Sequence, residues 1–104
     1  MRQILLDSVD STNEYLKRLS SLSPEPFLLV SALTQSHGKG RMGRSWKDEK
    51  NKSFLGSFLI PYTEKSFQVG FLAASAAANL IKIKYDLSAK IKWPNDIYLD
   101  GKKL

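Results

Sequence analysis

The sequence predicts an α+β domain. Short apolar runs bounded by turn residues alternate with two stretches of helical character, and an Asp-Gly pair between apolar and basic residues marks a hairpin near residue 100. With 104 residues, of which 42% are hydrophobic, the chain suffices for one small domain, expected to span residues 1–104.

The elements follow in order. Residues 2–8 read as a short strand. Ser11 and Glu14 then have the spacing of a helix capping box, so a short helix follows, with Leu16 and Leu19 facing inward. Residues 20–26, rich in Ser and Pro, read as loop, and residues 27–33 form a continuous apolar run suited to a buried strand. Residues 35–53 hold Gly38, Gly40 and Gly43 together with Lys39, Arg41, Arg44, Lys47, Lys50 and Lys52. They show almost no apolar patterning and are expected to form a long exposed loop. Residues 54–60 are a second buried strand stopped by Pro61. Residues 67–85 are alanine-rich and free of proline. Phe71, Ala74, Ala78 and Ile81 lie at helical spacing there, which predicts the main packing helix. Residues 90–93 resume strand, Pro94-Asn95-Asp96 breaks it, and residues 97–99 and 102–104 flank the Asp100-Gly101 turn. The returning strand has three residues, so a fold continuing past Leu104 is expected, with an edge left to pair.

Composition narrows the chemistry. Without cysteine, disulfides and thiolate metal sites are excluded, and the single histidine, His37, cannot build a histidine cluster. The apolar run at residues 4–6 is too short for a signal peptide or membrane span, and a soluble cytoplasmic protein without a membrane partner is expected. A net charge of +6 favours anionic partners. Gly38-Lys39-Gly40-Arg41-Met42-Gly43 matches G-x-G-x-x-G, but no helix follows it, which argues against a dinucleotide fold. Glycines interleaved with Lys39, Arg41 and Arg44 instead suit a basic cradle for phosphate or carboxylate. A merely solvated loop has the same composition.

Three segments together resemble biotin protein ligases: Asp10-Ser11-Thr12-Asn13, then residues 34–46 with the pattern G-K-G-R-M-G-R-S-W, then Lys92-Trp93-Pro94-Asn95-Asp96. Lys102-Lys103-Leu104 is similar to the K-L opening of that family's next element. The resemblance implies a mixed, mostly antiparallel sheet with packed helices, like class II aminoacyl-tRNA synthetases, here in truncated form. It also implies an ATP-dependent activity that converts biotin to biotinyl-5′-adenylate and passes biotin to a lysine of a carboxylase's biotin carboxyl carrier protein.

By matched position, Ser11, Thr12, Asn13 and Gln35 line the biotin pocket. Gly38, Lys39, Gly40 and Arg41 fold over the biotin carboxylate, and Arg41 and Arg44 neutralise charge at the α-phosphate. Position 39 is Lys where the family often shows Arg, so charge is kept and bidentate contact is lost. Trp46 stacks on adenine. Asn95 and Asp96 contact the nucleotide or its Mg²⁺, with no direct protein cluster for the metal, and Lys103 matches the catalytic lysine that holds the oxygen shared by biotin and the α-phosphate. Read individually, these residues have plainer roles: Ser11 a helix cap, Trp46 a core anchor, Asn95-Asp96 a strand end, Lys103 an exposed hairpin lysine.

Other readings stay open. One is a non-catalytic biotin-binding fragment, because the family's later G-I-L strand and G-I-G-I-N segment are not in this sequence. Another is a lipoate-type ligase, which shares the adenylation chemistry. A third is a basic nucleic-acid-binding loop, disfavoured because Trp46 is the only aromatic residue in that stretch. DNA binding of the repressor type is not expected, and a homodimer is possible.

Overall fold

A computed structural model describes residues 2–22, 27–93 and 95–104. The chain divides into two compact units, Met1–Pro61 and Tyr62–Leu104. Each is described by itself.

The first unit is organised by a parallel crossover. Strand β1 (Gln3–Val9) leads through helix α1 (Thr12–Leu22) to β2 (Leu29–Gln35), which lies parallel to β1 in register from Gln3 opposite Leu29 to Val9 opposite Gln35. Later in the chain, β5 (Leu55–Phe58) pairs antiparallel with the other edge of β2 and makes it the central strand. Side-chain alternation on β1 turns Ile4 and Leu6 inward. There they meet a core of Leu16 from α1 with Leu28 and Val30, which are 1% and 0% exposed. Helix α1 runs three residues into the stretch expected to be loop, and residues 23–26 of that stretch lie outside the described residues.

The long stretch after β2 is more structured than its composition suggests. Short strands β3 (Gly38–Lys39) and β4 (Ser45–Trp46) pair antiparallel, Gly38 opposite Trp46 and Lys39 opposite Ser45. Met42 (φ 59°) and Gly43 (φ 75°) take the two left-handed positions of the turn between them, the twist that suits a tight hairpin. Two-residue strands are too short to show a period of two, so no apolar pattern could announce this hairpin.

In the second unit, a 3₁₀ turn at Ser66–Gln68 leads into α2 (Val69–Tyr85), capped by left-handed Asp86, whose N–H donates to the Lys82 carbonyl at 3.0 Å. Strands β6 (Lys90–Lys92), β7 (Asp96–Leu99) and β8 (Lys102–Lys103) form an antiparallel sheet, with positive φ at Asp100 and Gly101 closing the expected hairpin. Pro94, expected with Asn95 and Asp96 to break the strand, lies outside the described residues.

Of the four residues expected to face inward from α2, only Ala74 is buried; Ala78 and Ile81 are half-buried and Phe71 is exposed, though its ring lies 5.3 Å from that of Trp93. Within this unit the helix lies on β6 and β7, and strands of three and four residues cover only a stripe of a 17-residue helix. By length and composition, Ser66–Tyr85 would also pass as a membrane span, with a mean hydropathy of 1.2.

Candidate functional site

The C-terminal ends of β1 and β2 and the start of α1 converge on a cavity of about 170 Å³ in the first unit, lined among others by Ser11, Thr12, Asn13, Gln35, Lys39 and Trp46. The local sequence dictates this convergence. After β1 the chain must free the first N–H groups of α1, and Ser11 serves as cap, its Oγ accepting the Glu14 N–H at 3.4 Å. The reciprocal half of the expected capping box does not form. The Ser11 N–H donates instead to Asp10 Oδ1 at 2.8 Å, and the Glu14 carboxylate turns to Lys17 at 3.1 Å and Lys39 at 3.7 Å.

Another free helix donor, the Thr12 N–H, is met from across the cavity by Gln35 Oε1 at 2.7 Å, which also accepts the Thr12 hydroxyl at 3.0 Å. The D-S-T-N segment and Gln35 are thus joined directly, although 23 residues separate Thr12 from Gln35. Asp10 braces the segment from outside. Its carboxylate takes a bidentate pair from Arg18 at 3.0 Å on each arm, and these bonds, with the Ser11 N–H, lower its pKa to about 2.

Proton counting gives the direction of the bonds on the cavity floor. Ser57 on β5 is buried; its hydroxyl lies 2.8 Å from Thr12 Oγ1 and is hydrogen-bonded to Asn13 Oδ1. Three oxygen contacts (Gln35 with Thr12, Thr12 with Ser57, Ser57 with Asn13) therefore share two hydroxyl protons. The chain of bonds closes when Asn13 turns its amide nitrogen to Ser57, Ser57 donates to Thr12 and Thr12 donates to Gln35.

At the cavity mouth, Gly38 is required by close approach. A Cβ there would stand 2.9 Å from Gln35 Nε2 and 2.9 Å from the Trp46 carbonyl oxygen, so only glycine lets the hairpin base sit against the floor. Trp46, 46% exposed, offers part of an indole face at the rim, and Lys39 brings a cation there. Gly40 closes the hairpin by donating its N–H to the Arg44 carbonyl at 2.6 Å. Arg41 and Arg44 belong to the exposed hairpin tip, do not line the cavity, and form no ion pair among the described residues.

The other candidates lie in the second unit. Lys103 on β8 forms an ion pair with Asp96 on β7, Nζ to Oδ1 3.3 Å, and Asn95 is exposed at the start of β7. Trp93 of the same segment packs on Phe71, and Lys92 lies over the Tyr98 ring at 5.9 Å. Among the described residues no group of three or more His, Cys, Asp or Glu side chains could hold a metal.

Sequence reading did not single out Ser57 or its neighbours Phe54, Leu55 and Gly56, which complete the lining. The available signal was position: Ser57 shares the buried face of β5 with Leu55, and a hydroxyl there must find partners inside.

Comparison with known proteins places this geometry in context. The family model described as the biotin/lipoate A/B protein ligase family matches residues 5–104. The bifunctional ligase/repressor BirA of Bacillus spizizenii is 34% identical over 104 residues, covering 96% of this chain and 32% of that protein. The biotin–[acetyl-CoA-carboxylase] ligase of Paracoccus denitrificans is 34% identical, covering 96% of this chain and 43% of its own length. Among solved structures, the biotin protein ligase of Aquifex aeolicus in complex with biotin and ATP superposes with a TM-score of 0.86 at 28% identity, over 99% of this chain and 44% of that one. The chain thus spans a third to under half of the length of these relatives.

Proposed function

Because the chain belongs to the biotin/lipoate A/B protein ligase family, we propose that it carries the biotin-recognition surface and part of the activation machinery of a biotin protein ligase. The cavity floor is the observation that carries this reading. A biotin ureido ring presents two N–H donors and one carbonyl. The floor offers the Thr12 and Ser57 hydroxyls and the Asn13 and Gln35 amides, which between them can accept and donate. A lipoyl or octanoyl tail brings neither N–H nor carbonyl to these polar groups and gains no hydrogen bond from them. The same polar floor therefore favours biotin over lipoate.

In the reaction we propose, a carboxylate oxygen of biotin attacks the α-phosphorus of ATP. The bond to the pyrophosphate oxygen breaks, leaving biotinyl-5′-adenylate. A lysine amine of a carboxyl carrier domain then attacks the acyl carbon, and AMP leaves. Lys39 and Arg41 hold the carboxylate and the α-phosphate, Arg44 adds positive charge, and Trp46 stacks on the adenine. Lys103 stabilises the oxygen shared by the two reactants. The roles of Arg41, Arg44 and Lys103 rest on motif position, and their contribution is charge and orientation. Asp96 and Asn95 are hard oxygen donors of the kind Mg²⁺ accepts, but a single carboxylate fits an ion that arrives with the nucleotide phosphates and keeps most of its ligands from them and from water. The need for ATP agrees with a cytoplasmic setting.

Biotin-dependent ATP–pyrophosphate exchange by the purified protein tests the reading, run beside lipoate and with biotin binding followed by calorimetry. Binding and exchange with biotin alone support it. Binding of lipoate in preference to biotin, or of neither acid, overturns it.

A further inference from the structure

The hydrogen bonds at the outer edge of β2 point to a residue outside the motifs. Antiparallel β5 covers that edge only from Leu29 to Ala32, which leaves Leu33, Thr34 and Gln35 beyond its reach. The chain returning from the hairpin takes over there. The Asn51 N–H donates to the Leu33 carbonyl at 3.4 Å, and the half-buried Asp48 carboxylate accepts the Gln35 N–H at 3.3 Å on one oxygen and the Thr34 hydroxyl at 2.8 Å on the other. Lys50 adds an ion pair to Asp7 on β1 at 3.0 Å. Asp48 thus stands in for the missing strand partner, satisfying a backbone donor that would otherwise be left on the edge.

The residue it holds is the one whose side chain accepts both Thr12 groups on the cavity floor, and Asp48 lies two residues after Trp46 at the cavity rim. We propose that Asp48 is a positioning residue that clasps the rim to the floor: it fixes the backbone beneath the Gln35 amide and the return limb that carries Trp46, so that ligand recognition and hairpin position are coupled. The coupling to ligand rests on the biotin reading above. The clasp itself does not.

The test has a ligand-free arm and a ligand arm. It uses Asp48→Ala, Asp48→Asn and Thr34→Val in a Trp93→Phe background, so that Trp46 alone reports. Without ligand, Asp48→Ala is expected to speed amide exchange at Gln35 and raise quenching of Trp46 by acrylamide, because a charged acceptor is lost. Asp48→Asn keeps an acceptor oxygen and should recover most of both, while Thr34→Val should fall between. With biotin, Asp48→Ala should weaken affinity about tenfold or more, the scale of one hydrogen bond to a charged group, and Asp48→Asn should rescue it. Exchange and quenching in Asp48→Ala that match the parent overturn the clasp, and biotin affinity within about twofold of the parent overturns its coupling to ligand. A parent protein that binds no biotin overturns the biotin reading instead, and the ligand-free arm then decides the clasp alone. A uniform loss of stability with unchanged Gln35 exchange relative to neighbouring amides assigns Asp48 a merely structural role and also overturns the proposal.

Discussion

Ser11, Thr12 and Ser57 are buried on the cavity floor and each is held by a neighbouring side chain or backbone group, whereas Arg41, Met42 and Arg44, at the hairpin tip, stand in solvent, Met42 at 93% exposure. The floor groups hold one another through hydrogen bonds. Among the described residues, the charge of the tip has no ion-pair partner. Under the proposed function the contrast divides the labour: selection of the acid by the hydrogen-bonded floor, and handling of negative charge by the exposed side chains of the tip. Fixed groups give discrimination because their misfit is costly, and free cations give rate where charge develops.

Breaking this contrast at the tip should give the largest effect. Arg41→Ala is expected to reduce biotin-dependent pyrophosphate exchange by about 100-fold, the scale for losing one charge-stabilising group, while leaving the thermal midpoint nearly unchanged; calorimetry beside the exchange assay reads both. Thr12→Val, of similar shape, should act on the floor. Biotin affinity should fall by roughly 10- to 100-fold through an acceptor lost from a buried site, and equilibrium titration with biotin and lipoate should show the preference between the two acids narrowing.

The smallest effect concerns the brace outside the floor. The Asp10 carboxyl is held at about 2, below its ordinary value of 3.8, so its pairing with Arg18 contributes stability that is present above 3.8 and lost as pH falls through about 2. Asp10→Asn should therefore be less stable than the parent at neutral pH, with the two urea midpoints converging between those values; a constant difference down to pH 2 would remove the brace from the account.

Much of the floor was legible in the sequence because its pieces sit where local rules apply. Ser11 caps a helix, and Thr12, Asn13 and Gln35 are named by motif position; away from the floor, in the second unit, Asp100-Gly101 closes the hairpin that such a pair favours. What escaped depends on pairing across the chain. Ser57 becomes a site residue only through strand register, Asp48 only through an edge that β5 leaves uncovered, and the β3–β4 hairpin is too short to carry a pattern. The exposure of α2 was equally illegible, since helical spacing names the apolar face and does not say how much sheet will meet it.

The parallel crossover also bears on the order in which the protein is made. Val9 pairs with Gln35 across one helix, and the two strands with α1 supply Leu16, Val30, Thr12 and Gln35, the core and most of the floor, from one contiguous stretch of chain. Closing a loop of that size costs little entropy, and each doubling of length would add only about 0.6 kcal/mol. The surface proposed to select the acid can therefore assemble early in synthesis, while the ribosome is still delivering the lysines of the second unit.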